Sequence, residues 1–308
     1  MLETRLYERI LEKKAQLDSL RPLPEASVKR LTEQLTIEWI YNSNAIEGST
    51  LTLRETQLIL EQGITIGGKS LREHFEVVNH QEAIQLVESL AHKQEPITAF
   101  YVRQLHALVL AKIDEENAGQ YRNVAVRIVG ATHEPPPAWD IPSLMNDWGY
   151  WLQEQEGQID PVILAAMAHH RLVAIHPFID GNGRTARLIM NLVLMREGYP
   201  PAIIDRINRQ QYYRVLGQAD RGNSKPLVNF VGRAVDRSLT LYLEACTPQV
   251  TKNSNDDEWM LLREAAEMVP YSQEYLSLLA RTGKLEAIKR GRNWYTTQRA
   301  LDNYLESL

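Results

Sequence analysis

Cysteine is almost absent from this chain: Cys246 is the single one among 308 residues. One thiol forms neither an intrachain disulfide nor a cysteine-based zinc site, and a reducing, cytoplasmic setting is expected. Long apolar runs are also lacking. No stretch reaches the roughly 20 residues needed to cross a bilayer. The start, MLETRLYERILEKKAQ, carries charges where a signal peptide needs an apolar core, so neither secretion nor a membrane partner is expected. Positive charge is not in excess: 34 Lys and Arg stand against 39 Asp and Glu, a net charge of −5. That balance argues against a generic binder of nucleic acid or anionic membrane. There is no G-x-x-x-x-G-K-[ST] run either, which excludes a P-loop.

What is present is ordinary for a globular protein: 44% hydrophobic and 24% charged residues, enough to bury a sizeable core. The length suits two domains, or one large and one small. Apolar residues recur at helical spacing over 2–20, 24–41, 70–92 and 97–113. Thr52 with Glu55 makes a capping-box pattern opening a helix to about Gln62. Residues 121–130, YRNVAVRIVG, read instead as a short strand or hairpin arm, ended by the prolines at 135–137. Helices resume from Ser143, over 161–175, from Gly183 to Glu197 with Gly198 as C-cap, and over 208–219 and 225–245. The polar stretch TPQVTKNSNDD (247–257) reads as a linker before a small C-terminal module.

Residues 176–187, HPFIDGNGRTAR, concentrate chemistry. Gly181, Asn182 and Gly183 open an apolar-sided helix, so free N–H groups and the helix dipole make an anion site there. Arg184 and Arg187 lie one turn apart and suit phosphate oxygens. Asp180 offers a hard oxygen ligand for Mg²⁺. His176 can accept a proton near neutral pH. Together these are parts for chemistry on a nucleotide's phosphates. GNGRTA also matches a loose dinucleotide-binding pattern, but a helix-like segment precedes it and Glu197 lies too near for the expected ribose acid, so that match is rejected.

HPFIDGNGRTAR resembles the Fic motif H-x-F-x-[DE]-G-N-G-R-x-x-R at every fixed position, over about residues 35–245. The resemblance implies a mainly α fold, a helical bundle with a β-hairpin flap. It implies adenylylation: AMP moves from ATP to a Ser, Thr or Tyr hydroxyl of a protein, which could be the chain itself. His176 would be the base and Asp180 the Mg²⁺ ligand. Gly181, Asn182 and Gly183 would form the anion hole, with Arg184, Thr185, Ala186 and Arg187 also on the nucleotide. Phe178 would anchor the loop. Val129, Gly130, Ala131 and Thr132 of the flap, and Tyr212, Tyr213 and Asp220 downstream, would complete the ATP site. Other Fic transfers, of UMP or phosphocholine, and AMP removal are alternatives, as is a DNA-binding regulator that no longer catalyses. A homodimer is common among relatives.

Residues 43–48, SNAIEG, match the family's inhibitory pattern [ST]-x-x-x-E-[GN]. Ser43 and Glu47 stand one helical turn apart, followed by Gly48. The resemblance implies that Glu47 takes Arg187 away from the γ-phosphate. The organisation expected is residues 1–95 as an N-terminal helical region, 96–246 as the Fic core, 247–257 as linker and 258–308 as an excisionase-like winged helix-turn-helix. In that module the second helix, SQEYLSLLA, has no basic residue before Arg281. Positive charge sits at Lys289, Arg290 and Arg292. DNA is thus less favoured than protein docking.

Overall fold

The computed structural model describes residues 2–93, 95–128, 133–246, 259–269, 271–291 and 293–306. The chain divides into two compact units, Met1–Cys246 and Thr247–Leu308. The first is helical. Its elements are α1 (Thr4–Ser19), α2 (Glu25–Ile46), α3 (Leu53–Gln62), α4 (Leu71–Lys93), α5 (Ala99–Leu110), α6 (Ile141–Gln155), α7 (Pro161–Ile175), α8 (Asn182–Arg196), α9 (Arg209–Asp220) and α10 (Lys225–Cys246). Among the described residues no helix is long and apolar enough to cross a membrane.

Local chemistry sets the ends that matter. The Thr52 hydroxyl accepts from the Glu55 N–H at 3.2 Å, and Glu55 accepts from the Thr52 N–H at 2.7 Å, so the expected capping box starts α3. Asp160 Oδ1 accepts from the N–H groups of Val162 and Ile163, and Pro161 supplies a preset φ, so α7 starts cleanly. Gly198, at φ +73, ends α8, where the Tyr199 N–H reaches back to the Leu194 carbonyl.

The central helix is α8, buried nearly all round from Arg184 to Leu194. It packs along α7 and against α4 and α5, while α1 packs along α10. A helix buried on nearly every side belongs in the middle of a bundle. The motif loop is the lead-in to this helix, and neighbouring helices wall it in.

Two expectations are corrected. The helix expected over 24–41 continues to Ile46, which carries SNAI on its last turn. The strand expected over 121–130 is not formed among its described residues, Tyr121 to Ile128, which pair with no other strand. Their polar groups go elsewhere: the Arg122 N–H donates to the Pro177 carbonyl at 2.9 Å. Val129, Gly130, Ala131 and Thr132 lie outside the described residues, as does the linker 247–257.

The second unit orders β1 (Met260–Leu261), α11 (Leu262–Met268), α12 (Gln273–Arg281), β2 (Ala287–Arg290), β3 (Asn293–Thr296) and α13 (Gln298–Glu306). Its antiparallel sheet runs β1-β3-β2. Leu262, Ala265, Leu276, Leu279, Leu285 and Leu301 make its core. Leu276 and Leu279 therefore pack inward, while Leu278 stays exposed.

Candidate active site

The loop 176–181 is held by its own side chains. His176 closes α7 with a left-handed backbone, φ +50. Such a conformation in a residue with a Cβ costs about 1–2 kcal/mol and persists only where neighbours enforce it. Phe178 is fully buried and its ring stacks on His106, centroids 3.6 Å apart. The Asn182 side chain clasps that residue's backbone: Oδ1 accepts from the Phe178 N–H at 3.0 Å and Nδ2 donates to its carbonyl at 2.8 Å. Gly181, φ +76, makes the turn into α8, and a Cβ there would meet the His106 ring at 3.2 Å.

His106 is a support that sequence reading missed. The Gly119 N–H donates to its Nδ1 at 2.9 Å, so the proton sits on Nε2, which donates to the Asp180 carbonyl at 2.9 Å. Burial pulls this imidazole down to about 4, so it is neutral at pH 7. A lone histidine on an apolar helix face was the available signal, and it reads equally well as core.

His176 itself is neutral at pH 7. Burial lowers it most, and Arg122 and His133 act the same way against Glu47. Its Nδ1 lies 3.3 Å from the Val173 carbonyl, which can only accept. That bond assigns the proton to Nδ1 and leaves the lone pair on Nε2, the arrangement a general base needs.

Asp180 is ringed by donors. Its Oδ1 accepts from the Gly181 N–H at 2.6 Å and faces Arg184 at 3.4 Å. Its Oδ2 accepts from Arg72. Burial works to raise this carboxyl, but Arg184, the Gly181 N–H and Arg72 outweigh it and hold it below the usual range. The Gly181 N–H is thereby committed, so the first-turn donors left for an anion are those of Asn182 and Gly183, which the helix cannot satisfy. The buried Arg184 also lies 3.2 Å from Glu76 on α4. Thr185 and Ala186, the next residues of α8, are fully buried.

Arg187 is buried and meets α2. Its Nε donates to the Ser43 hydroxyl at 3.0 Å, and its Nη2 donates to the Ser43 carbonyl and to Glu47 Oε1, both at 2.8 Å. Desolvation opposes its charge, but Glu47 and Tyr212 together more than restore it. Nη1 is buried with no hydrogen-bond partner among the described residues. A Cβ on Gly183 would fall 2.2 Å from Glu47 Oε1, so this carboxylate sits directly against the first turn of α8. Gly48, at φ +112, carries the chain away. Glu73 pins the chain beyond Gly48, accepting from the N–H and hydroxyl groups of Thr50 and Ser70. Desolvation opposes, but those four donors pull Glu73 down to about 2.

The downstream residues divide. The Tyr212 ring is buried, 6.0 Å from the Arg187 guanidinium, with its hydroxyl bonded to His169 at 2.8 Å. Tyr213 is 42% exposed and stacks with Arg209 beside the end of α2. Asp220 is paired with His170 on α7 and has no contact with the motif loop among the described residues.

The residues present suit a nucleotide's phosphates. Gly183 is bare where a side chain would block approach, orphan donors open α8, and buried Arg187 keeps one nitrogen unpaired. For a divalent cation the motif loop offers the hard carboxylate of Asp180. Among the described residues no group of three or more His, Cys, Asp or Glu could hold an ion alone. Such an ion would depend on phosphate oxygens for the rest of its shell.

A model of the Fic/DOC family matches residues 96–194. A protein adenylyltransferase Fic of Nematostella vectensis is 40% identical over 248 residues, 80% of this chain and 57% of the relative. A Fic domain containing signaling protein from Bacteroides thetaiotaomicron has a TM-score of 0.73 and 32% identity, covering 77% of this chain and 96% of that one. Fic-1 from C. elegans has a TM-score of 0.72 and 33% identity, covering 78% and 72%. The chain spans about half the length of the curated relatives it matches.

Proposed function

The chain belongs to the Fic/DOC family, and on that premise we propose that it is a protein adenylyltransferase held in check by Glu47. The hydroxyl of a protein Ser, Thr or Tyr gives its proton to His176 Nε2 as its oxygen bonds to the α-phosphorus of ATP, and pyrophosphate leaves. Asn182 and Gly183 N–H groups and Arg184 would steady the phosphates, and Asp180 would hold Mg²⁺, which supplies charge neutralisation for the leaving pyrophosphate. Arg187, once released, would take the γ-phosphate. Tyr213 and Tyr212 would face the adenine, and Asp220, Val129, Gly130, Ala131 and Thr132 are proposed for the same nucleotide.

The carrying observation is the Arg187–Glu47 pair beside Gly183. A carboxylate there occupies the arginine and the space that a terminal phosphate needs, and repels the nucleotide's own charge. ATP bound beside it would have its α-phosphorus out of line with the hydroxyl.

The second unit reads best as a winged helix-turn-helix used for protein docking. On α12, Tyr275 and Leu278 are exposed and basic charge is confined to Arg281 in the last turn, a poor match for a phosphate backbone. The test of function is label retention. With Mg²⁺ and the Glu47→Gly variant, label from α-labelled ATP should stay on protein, label from γ-labelled ATP should not, and His176→Ala should abolish the first. Retained γ-label would replace adenylylation with phosphoryl transfer.

A further inference from the structure

The buried guanidinium of Arg122 has no carboxylate partner among the described residues and spends its donors on three backbone carbonyls. Nε donates to His176 O at 2.8 Å, Nη1 to Val124 O at 2.9 Å and Nη2 to Pro136 O. Its own N–H donates to Pro177 O at 2.9 Å. Val124 and Pro136 are the outgoing and returning arms of the connection between α5 and α6. His133, on the returning arm, donates through Nε2 to the Ala174 carbonyl at 2.8 Å. One side chain thus joins both arms to the residue that would be the base, at the point where that residue's backbone is left-handed.

We propose that Arg122 is a positioning residue of the transfer reaction, fixing the His176 backbone and registering both arms of the α5–α6 connection against it. This rests on the adenylyltransferase reading. Five hydrogen-bonding N–H groups in a rigid fork can span three carbonyls, and a lysine ammonium at the same place cannot. The Arg122 side chain donates to His176, Val124 and Pro136 carbonyls and not to Asp180, Asn182, Gly183, Arg184 or Arg187, the groups assigned to the phosphates. Its loss should therefore affect the alignment of base and hydroxyl and leave the nucleotide's hold intact.

The charged and titratable groups facing His176 are Arg122, His133 and Glu47. Burial is the largest influence lowering His176; Arg122 and His133 lower it further, while the Val173 carbonyl and Glu47 oppose. Removing the Arg122 charge should move the acid limb of the rate profile to higher pH. Lysine should keep the limb in place and still lose rate.

The experiment compares Arg122→Ala and Arg122→Lys with their Glu47→Gly parent, each shown folded by circular dichroism. Self-labelling from α-labelled ATP and Mg²⁺ is measured against ATP concentration and pH, and the His176 ring is titrated by NMR. The maximal rate should fall about 100-fold for alanine, as expected for misaligned reacting groups. The ATP concentration giving half of that rate should not change. The His176 titration should rise in the alanine variant alone. An unchanged maximal rate, a parallel loss of ATP affinity, or an unmoved His176 titration would overturn the proposal. A parent that does not label itself would sink the adenylyltransferase reading, and the titration would still decide whether Arg122 and His176 are coupled.

Discussion

Glu47 and Arg187, 140 residues apart in sequence, meet at 2.8 Å at the first turn of α8, with Ser43 Oγ on the same guanidinium. The arginine side chain is almost wholly buried and the carboxylate is a third exposed. A buried guanidinium needs its partners, because an unpaired charge in the interior is costly. Here Ser43 and Glu47 supply them. On the proposed reading a phosphate would compete with Glu47 for this arginine, which ties α2 to the reaction.

Gly183→Ala tests the crowding at this point. The new Cβ would stand 2.2 Å from Glu47 Oε1 and 3.1 Å from Arg187 Nη1. The glutamate end can swing away, yet the methyl stays where phosphate oxygens must approach. The variant should show no gain in transfer over wild type. In the Glu47→Gly background it should lose about 100-fold. Initial labelling rates decide this, and activation matching Glu47→Gly would contradict it.

Acid should weaken the fold through buried imidazoles. Burial depresses His106 to about 4 and His169 to about 3, against an ordinary value of 6.5. Below 6.5 the unfolded chain binds protons that the fold refuses. Stability from each group is complete above 6.5 and is lost as pH falls toward 4 for His106 and toward 3 for His169. For His106 the loss amounts to about 3 kcal/mol. The thermal midpoint should drop steadily from pH 7 to pH 4.5. His106→Gln should be less stable at pH 7 and show a shallower dependence. Equal slopes for the two proteins would contradict the assignment.

Arg72→Ala tests what competes for Asp180. Both partners of that ion pair are about half exposed, so it contributes about 1 kcal/mol at most. Freed of Arg72, Asp180 should bind a divalent cation more tightly. In the Glu47→Gly background the Mg²⁺ concentration for half-maximal labelling should fall, by up to about fivefold. A higher requirement would mean that Arg72 assists the nucleotide instead.

Much of this arrangement is legible in the residues alone. Periodicity located the long helices, because α1, α4, α7 and α10 each present one apolar stripe or an all-apolar body. Capping chemistry marked Thr52 and Gly198. Motif spacing put Ser43 and Glu47 on one helix face, and both lie on Arg187. Residues 121–128 misled, since alternating Val and Ile predict a strand only if a neighbour supplies the ladder. Here the Val124 carbonyl is taken by the Arg122 side chain. The contacts of His106 and Arg72 with Asp180, and of Glu76 with Arg184, were invisible because they span long sequence separations. A single polar residue on a helix carries no periodic signal of what it will meet. Asp220 meets His170 on α7, a pairing that sequence distance does not announce.

The central claim is that one carboxylate decides whether the site can work. The most direct measurement is the initial rate of protein labelling from α-labelled ATP and Mg²⁺ by wild type, Glu47→Gly and Glu47→Gly/His176→Ala, side by side. Strong labelling by Glu47→Gly, with little by wild type and none by the double variant, is the result expected. Equal labelling by wild type and Glu47→Gly would show that the Glu47–Arg187 pair does not restrain the reaction.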